Sequence, residues 1–103
     1  MNDDRLTEKL AAEVLGWKIA PGRFLKPDRG WTPRWHFAPL TKIEDAFLLL
    51  DRVANHYTLT ADESEGFRAE VYVGARVGRA SGEPRARTVT FALARALGLE
   101  VDS

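Results

Sequence analysis

The fold class is decided by residues 57–79, YTLTADESEGFRAEVYVGARVGR. Within this stretch, apolar side chains alternate with polar or amphipathic ones, namely Phe67, Ala69, Val71 and Val73 against Arg68, Glu70 and Tyr72. A period of two is typical of a strand with one buried face. Residues 57–61 are rich in strand formers, and the polar run 62–66 predicts a turn. Gly74 permits a bulge or a bend, after which residues 75–79 either continue the strand or begin another. The stretch predicts at least two antiparallel strands, and three or four fit as well.

Helices are predicted at both ends of the chain. Residues 3–15 carry apolar side chains at helical spacing, and Gly16 suits a left-handed C-cap. The same pattern recurs in residues 85–97, followed by Gly98 and the apolar Leu99, although three residues of low helix propensity could delay the first turn.

A middle helix is predicted from a capping motif. Thr41 followed three residues later by Glu44 matches a capping box, in which each side chain satisfies a backbone donor at the helix start. The helix is therefore predicted to begin at Lys42, and Asn55 is a reasonable stop.

The stretch from Trp17 to Pro39 holds four of the five prolines, which excludes a long regular element. It is predicted to be extended, with turns at Pro21-Gly22 and at residues 27–30 and short strands at residues 17–19 and 35–37. We expect Trp17 to be buried, whereas the pattern leaves Trp31 and Trp35 open between core and surface.

Together these segments predict an α+β fold. Residues 1–103 are expected to form a single domain, because this length supports one core and is too short for two. The predicted order is α-(β)-α-β-β-α, with a small antiparallel sheet of two to four strands packed with three helices.

Composition excludes several kinds of site. The chain has no cysteine and two histidines, so a disulfide framework, a thiol nucleophile and a zinc-thiolate site are excluded and a multi-histidine metal site is not expected. No metal and no cofactor are predicted. The first residues lack a signal-peptide pattern, and no apolar run is long enough to span a bilayer, so we expect a protein of the cytoplasm that has no membrane partner.

Three fragments resemble, in order and spacing, a family of bacteriophage and prophage proteins, the phage ABA sandwich domain. They are LAAEVLGWK at residues 10–18, APLTKIEDAF at residues 38–47 and FALARAL at residues 91–97. The resemblance implies a three-layer arrangement of helices on a small antiparallel sheet, a phage or prophage origin and no established activity. It carries over no functional residues.

Charge is segregated along the chain although the formal net charge is zero. Residues 18–42 carry six bases against Asp28, residues 76–95 carry five arginines against Glu83, and residues 43–75 carry seven acids against two arginines. These charges can simply solvate separate faces and pair with one another. Alternatively, they mark binding surfaces, because Arg and Trp are common anchors of interfaces and can also grip phosphates or stack on bases. The candidate binding residues are Arg29, Trp31, Arg34, Trp35, Arg76, Arg79, Arg85 and Arg87.

Catalytic residues are not predicted. His36 lies between two aromatic residues and His56 lies between a helix and a strand, positions more typical of structural histidines than of a general base. The acids Asp62, Glu63 and Glu65 lack the ligand spacing of a calcium loop and are more typical of a solvated turn. We therefore expect a protein that is not an enzyme.

The sequence favours the first of three functions, and the other two stay open as alternatives. The first is a phage protein that binds a host protein or complex, such as an inhibitor of a bacterial defence system of the CRISPR effector type, acting in the cytoplasm of the host cell. The second is a nucleic-acid-binding accessory protein that uses residues 18–42 and 76–95. The third, and weakest, is a small enzyme. The sequence does not predict an oligomeric state.

Overall fold

Two three-stranded antiparallel sheets and three α-helices form the part of the chain that the structure, a computed structural model, describes: residues 3–64, 66–99 and 101. The elements in chain order are α1 (Asp3–Leu15), β1 (Lys18–Ala20), β2 (Arg23–Leu25), β3 (Trp31–Pro33), a 3-10 helix (Arg34–His36), α2 (Ile43–Val53), β4 (His56–Asp62), β5 (Gly66–Val73), β6 (Arg76–Gly82) and α3 (Arg85–Ala96). The α+β class is confirmed, but the order includes three early strands and the strands form two sheets.

The helix predicted at residues 3–15 is confirmed with the same bounds. Gly16 adopts a left-handed conformation with φ +72°, which a residue without a Cβ accommodates at little cost. The N–H of Trp17 then donates to the Ala11 carbonyl at 3.1 Å, so the chain turns away from the helix at the predicted place.

The proline-rich segment forms the first sheet, in the order β1-β2-β3. Pro21 and Gly22 make the turn between β1 and β2, as predicted, with Gly22 at φ +70°. The strand predicted at residues 35–37 is wrong, because residues 34–36 form a 3-10 helix instead. Pairing ends at Pro33, whose ring removes the N–H that a strand would need.

The capping box predicted at Thr41 and Glu44 is also wrong. α2 begins at Ile43 with Lys42 as its N-cap residue and no side-chain cap. The reason is a competing turn: the Ala38 carbonyl accepts the Lys42 N–H at 2.7 Å, and the Thr41 hydroxyl is directed to the same carbonyl at 3.4 Å. The helix also ends at Val53, two residues before the predicted stop.

The second sheet has the order β4-β5-β6, and its three strands lie within the two to four predicted for a single sheet. The register places Leu59, Ala69 and Ala80 in one cross-strand row on the inner face, which packs against α3. Gly74 has φ +62° and opens a two-residue turn that joins β5 to β6. Positive φ at the first turn residue matches the right-handed twist of a hairpin, so the glycine is required there.

α3 begins at Arg85 and ends at Ala96, close to the predicted bounds. Gly98 at φ +81° and Leu99 complete the predicted C-cap, since the Leu99 N–H donates to the Ala94 carbonyl at 2.9 Å. The helix lies directly on β6: a Cβ built at Gly78 would overlap the Ala92 carbonyl oxygen and the Ala96 nitrogen. Only glycine therefore allows this approach of helix to strand.

The helices share a core with both sheets. α2 packs on α3, and α1 packs on α2 and β1. Fully buried side chains from every layer meet there, including Leu10, Phe24, Leu49, Leu50, Val71 and Leu93. Inside it, the Thr90 hydroxyl donates to the Pro39 carbonyl at 2.8 Å across 51 residues of sequence, which ties α3 to the segment before α2.

The layering differs in detail from the three-layer arrangement that the family resemblance implies. α3 covers the inner face of the second sheet, whereas the opposite face carries exposed or half-buried side chains such as Arg68, Glu70 and Arg79. The first sheet likewise has one covered and one open face, so each sheet presents a surface to solvent. Among the described helices, none has the length and apolar character needed to span a membrane.

Candidate functional site

The open face of the first sheet combines basic and large apolar side chains. Strand pairing aligns Lys18, Leu25 and Trp31 in one cross-strand row. The next row on this side contains Arg23, because successive side chains of a strand point to opposite faces. Trp31 is 58% exposed and Leu25 is 36% exposed, whereas Phe24 on the opposite face is fully buried. We name as the basic face the side chains of Lys18, Arg23, Leu25 and Trp31 together with the turn of residues 26–30.

A cluster of aromatic rings fixes this sheet from behind. Phe24 lies 5.7 Å from Trp17 and 5.8 Å from Phe37, measured between ring centroids, and Trp17 lies 5.1 Å from Phe37. Trp17 itself is half-buried, less than the sequence predicts. Tilted and edge-on ring pairs at these distances are favourable. The ring contacts therefore stabilise the position of the three short strands.

Trp31 lies on the last strand of the basic face. The guanidinium carbon of Arg23 lies 5.8 Å from the centre of its ring, a cation–π distance. The ring therefore has a cation beside it and still exposes more than half of its surface to solvent. A large aromatic side chain held in this way is suited to stacking on a planar ligand.

The turn of residues 26–30 adds two further cations. It is closed by the Lys26 N–H, which donates to the Gly30 carbonyl at 2.8 Å, and it holds Arg29 at φ +73°. An arginine in the left-handed region costs free energy, so the closed turn must impose this conformation. Together with Lys18, these residues line a recess of about 410 Å³.

The bases of this face have no carboxylate partner in the part of the chain that the structure describes. Within the described residues, no carboxylate oxygen lies within 4.0 Å of the charged nitrogens of Lys18, Arg23, Lys26 or Arg29. The neighbouring acid, Asp28, accepts the Gly30 N–H at 3.0 Å and stabilises the turn. Arg23 lies beside Trp31, Lys26 lies over the Trp17 ring at 5.4 Å, and Lys18 and Arg29 line the recess with Lys26. Four cations on one side of the sheet produce a locally positive field although the whole chain is neutral.

The structure divides the predicted site residues of the first segment. Arg29 and Trp31 belong to the basic face, but Arg34 points away from it, forming an ion pair with Glu8 and stacking on the Phe24 ring at 5.2 Å. Trp35 is 74% exposed and lines a separate recess beside the start of α1. Trp31 and Trp35, which the sequence left open, are therefore both surface residues.

The predicted arginines of the second segment do not form one site. Arg79 pairs with Glu70 at 2.9 Å, and Arg87 pairs with Asp3 at 2.7 Å while stacking on Phe91. Arg76 and Arg85 are exposed at the beginnings of β6 and α3. Their spread over separate elements does not support a shared site.

Sequence reasoning included Lys18, Arg23 and Lys26 in a basic segment but did not select them as site residues. The missing signal was the alternation within β1 and β2, which places Lys18, Arg23 and Leu25 on one face. Three-residue strands are too short for that period to stand out.

The two histidines and the acidic turn are the other residues that the sequence analysis considered for a site. His36 and His56 are both exposed. In the turn after β4, Asp62 accepts the Ser64 N–H and hydroxyl, both at 2.8 Å, and pairs with Arg68. Glu65 lies outside the described residues. Within the part of the chain that the structure describes, no three His, Asp or Glu side chains come together as a metal site.

Comparison with known proteins supports the fold. The sequence matches no protein-family model and no curated protein. Among solved structures, the chain is similar to a phage protein from Bacillus cereus ATCC 14579, with a TM-score of 0.78 and 15% identity over 99% of this chain and 93% of that chain. The two proteins therefore have the same fold. The phage ABA sandwich family itself is not identified by these matches.

Proposed function

We propose that this chain is a phage or prophage protein that acts by binding rather than by catalysis, and that its basic face binds single-stranded nucleic acid. The observation that carries the proposal is the exposed Trp31 with Arg23 beside it, on a face whose four cations have no carboxylate partner among the described residues. The fold shared with a Bacillus cereus phage protein supports the origin.

Phosphate groups are the ligand that the charge arrangement favours. Lys18 and Arg23 lie diagonally across adjacent strands, since Lys18 pairs with Leu25 and Arg23 with Ala20, and the turn of residues 26–30 extends the positive surface beyond the ends of β2 and β3. A flexible polyanion can follow such a surface, since each contacted phosphate releases condensed counterions. Its binding should therefore weaken steeply with salt.

Trp31 favours single strands over duplexes. A base inside a duplex is already stacked on both sides, whereas an unpaired base offers a free π-face to an aromatic ring. Arg23 beside the ring is placed to contact the adjoining phosphate or base. Trp31 and Arg23 would then act together on one nucleotide.

The test is a titration of a fluorescent oligothymidylate, with a duplex of equal length beside it, at low and at moderate salt. Trp31→Ala should weaken single-strand binding by about 5- to 150-fold, the range expected when one stacked base loses about 1–3 kcal/mol. Trp35→Ala is the matched control, because Trp35 is also exposed but lies outside the basic face. Equal losses in the two variants, or no binding at low salt, would refute the proposal.

A host protein is the second candidate partner, and Trp35 is the observation that favours it. This side chain is exposed next to a recess of about 520 Å³, which Phe37 and Leu40 also line. An exposed Trp beside an apolar recess is a common interface anchor. Inhibition of a host defence complex of the CRISPR effector type is the sharpest form of this candidate, and purified effector complexes should then lose binding to Trp35→Ala but not to Trp31→Ala.

A further inference from the structure

β4 is an unprotected edge of the second sheet. In the described part of the chain it pairs with β5 alone. Five of its seven residues are exposed, and Leu59 and Asp62 are half-buried. The strand contains no lysine, arginine or proline, which commonly prevent edge strands from pairing with another chain, and its one carboxylate, Asp62, lies at its end.

The opposite edge of the same sheet is blocked. The Arg95 side chain extends from α3 and donates from Nη1 to the Arg79 carbonyl, in the middle of β6, at 2.6 Å. An added strand would have to displace this guanidinium. The two edges therefore differ, and β4 is the edge that offers a free backbone.

The hairpin turn determines which backbone groups of β4 are free. A two-residue turn makes the closing pair, Val73 with Arg76, a hydrogen-bonded pair. Since hydrogen-bonded and non-hydrogen-bonded pairs alternate, Val71 and Ala69 then direct their N–H and C=O groups to β6.

The β4 partners of Val71 and Ala69 consequently direct their own backbone groups outward. These partners are Tyr57 and Leu59, and Ala61 follows at the same period. The edge thus presents three outward N–H and three outward C=O groups.

We propose that a second copy of this chain pairs antiparallel with β4 about a two-fold axis at Leu59. The sequence of the strand complements itself in this register. His56 lies opposite Asp62 of the second copy, Thr58 lies opposite its Thr60, and Tyr57 lies opposite its Ala61. Such an arrangement brings no like charges together and joins two three-stranded sheets into one six-stranded sheet. This inference does not depend on nucleic-acid binding, because it uses the other sheet.

Sedimentation velocity over a concentration series tests the dimer. The unmodified chain should change from monomer to dimer as its concentration rises. The double variant Thr58→Lys/Thr60→Lys places like charges opposite each other twice, so its dimer dissociation constant should rise about tenfold or more. Both positions are exposed, so folding should be retained, and circular dichroism checks this.

Two matched controls test the proposed register of the strand pair. Thr58→Lys/Thr60→Glu pairs opposite charges across the same axis and should dimerise at least as well as the unmodified chain. Mixing the Lys/Lys variant with Thr58→Glu/Thr60→Glu should give a heterodimer. A chain that stays monomeric at high concentration, or a Lys/Lys variant that dimerises like the unmodified chain, overturns the proposal.

Amide hydrogen exchange gives an independent measurement. At concentrations where the dimer forms, the amides of Tyr57, Leu59 and Ala61 should become protected, and dilution should restore their fast exchange. Protection that does not depend on concentration would contradict an intermolecular strand pair.

Discussion

The two sheets each have three strands and one open face, but the basic residues on these two faces differ in whether they pair with carboxylates. On the second sheet, Arg79 pairs with Glu70 and Arg68 pairs with Asp62. On the first sheet, the cations around Trp31 have no carboxylate partner among the described residues. The electrostatic field of a close ion pair falls off quickly with distance, whereas the fields of neighbouring unpaired cations add together. A count of arginines therefore does not show which face carries an uncompensated positive charge, but their pairing does.

The sheets also differ in how they are supported. The second sheet lies against the backbone of α3 at Gly78, and the first rests on the rings of Trp17, Phe24 and Phe37. Contact between two backbones leaves no space for adjustment, whereas side chains can repack.

The largest expected effect comes from a substitution that disrupts the contact between β6 and α3. Gly78→Ala inserts a methyl group into the backbone of α3, so we expect it to lower the free energy of unfolding by about 4 kcal/mol or more. Gly22→Ala, in the turn between β1 and β2, meets no atom within 4 Å, so its cost is about 1–2 kcal/mol from the left-handed φ alone. Urea unfolding of both variants measures the difference, and similar losses would show that the close approach of α3 to Gly78 adds nothing to the cost of the new methyl group.

The next effect compares the charges of the two open faces. Lys26→Gln/Arg29→Gln should weaken oligothymidylate binding about tenfold or more at low salt and make its dependence on log salt shallower by roughly 1.4, or 0.7 for each lost phosphate contact. Arg68→Gln/Arg79→Gln removes the same charge from the second sheet and should change affinity less than about twofold. Equal effects of the two double variants would mean that pairing with carboxylates does not decide where the polyanion binds.

The smallest expected effect comes from removing the carboxylate partner of one arginine on the second sheet. Glu70→Gln leaves Arg79 without its carboxylate on the open face of the second sheet. In a Trp31→Ala background, where the first sheet binds weakly, this change should raise oligonucleotide affinity by less than about threefold, because one exposed cation adds a single weak contact. Titrations at low salt resolve such a gain. A fall in affinity would mean that Glu70 does more than neutralise Arg79.

The terminal helices and the second sheet were predictable because their signals are local. Gly16 and Gly98 mark helix ends through their own backbone conformations, and the alternation in residues 67–73 extends over a full strand. The first sheet was largely missed because its strands have three residues each and proline-rich turns hide their period. At Thr41, the capping motif is present in the sequence but is displaced by a turn that begins at Ala38, which the motif does not include.

The site was predictable only in part, for a related reason. Local composition identifies the basic segment that contains Arg29 and Trp31. It does not show that Arg34 is paired with Glu8, 26 residues away, or that Arg87 is paired with Asp3, 84 residues away. Both pairs form only in the tertiary structure, and in each of them a carboxylate neutralises the charge of an arginine.

The buried hydrogen bond from Thr90 to Pro39 has a consequence for the order of folding. Its partners are 51 residues apart, so it forms only after a long loop has closed, whereas the β5–β6 hairpin closes over a two-residue turn. Hairpins form in about 1–10 μs, and contacts of large sequence separation follow later. We therefore expect the C-terminal half to organise around its hairpin first, with the proline-rich segment docking onto α3 as one of the last events.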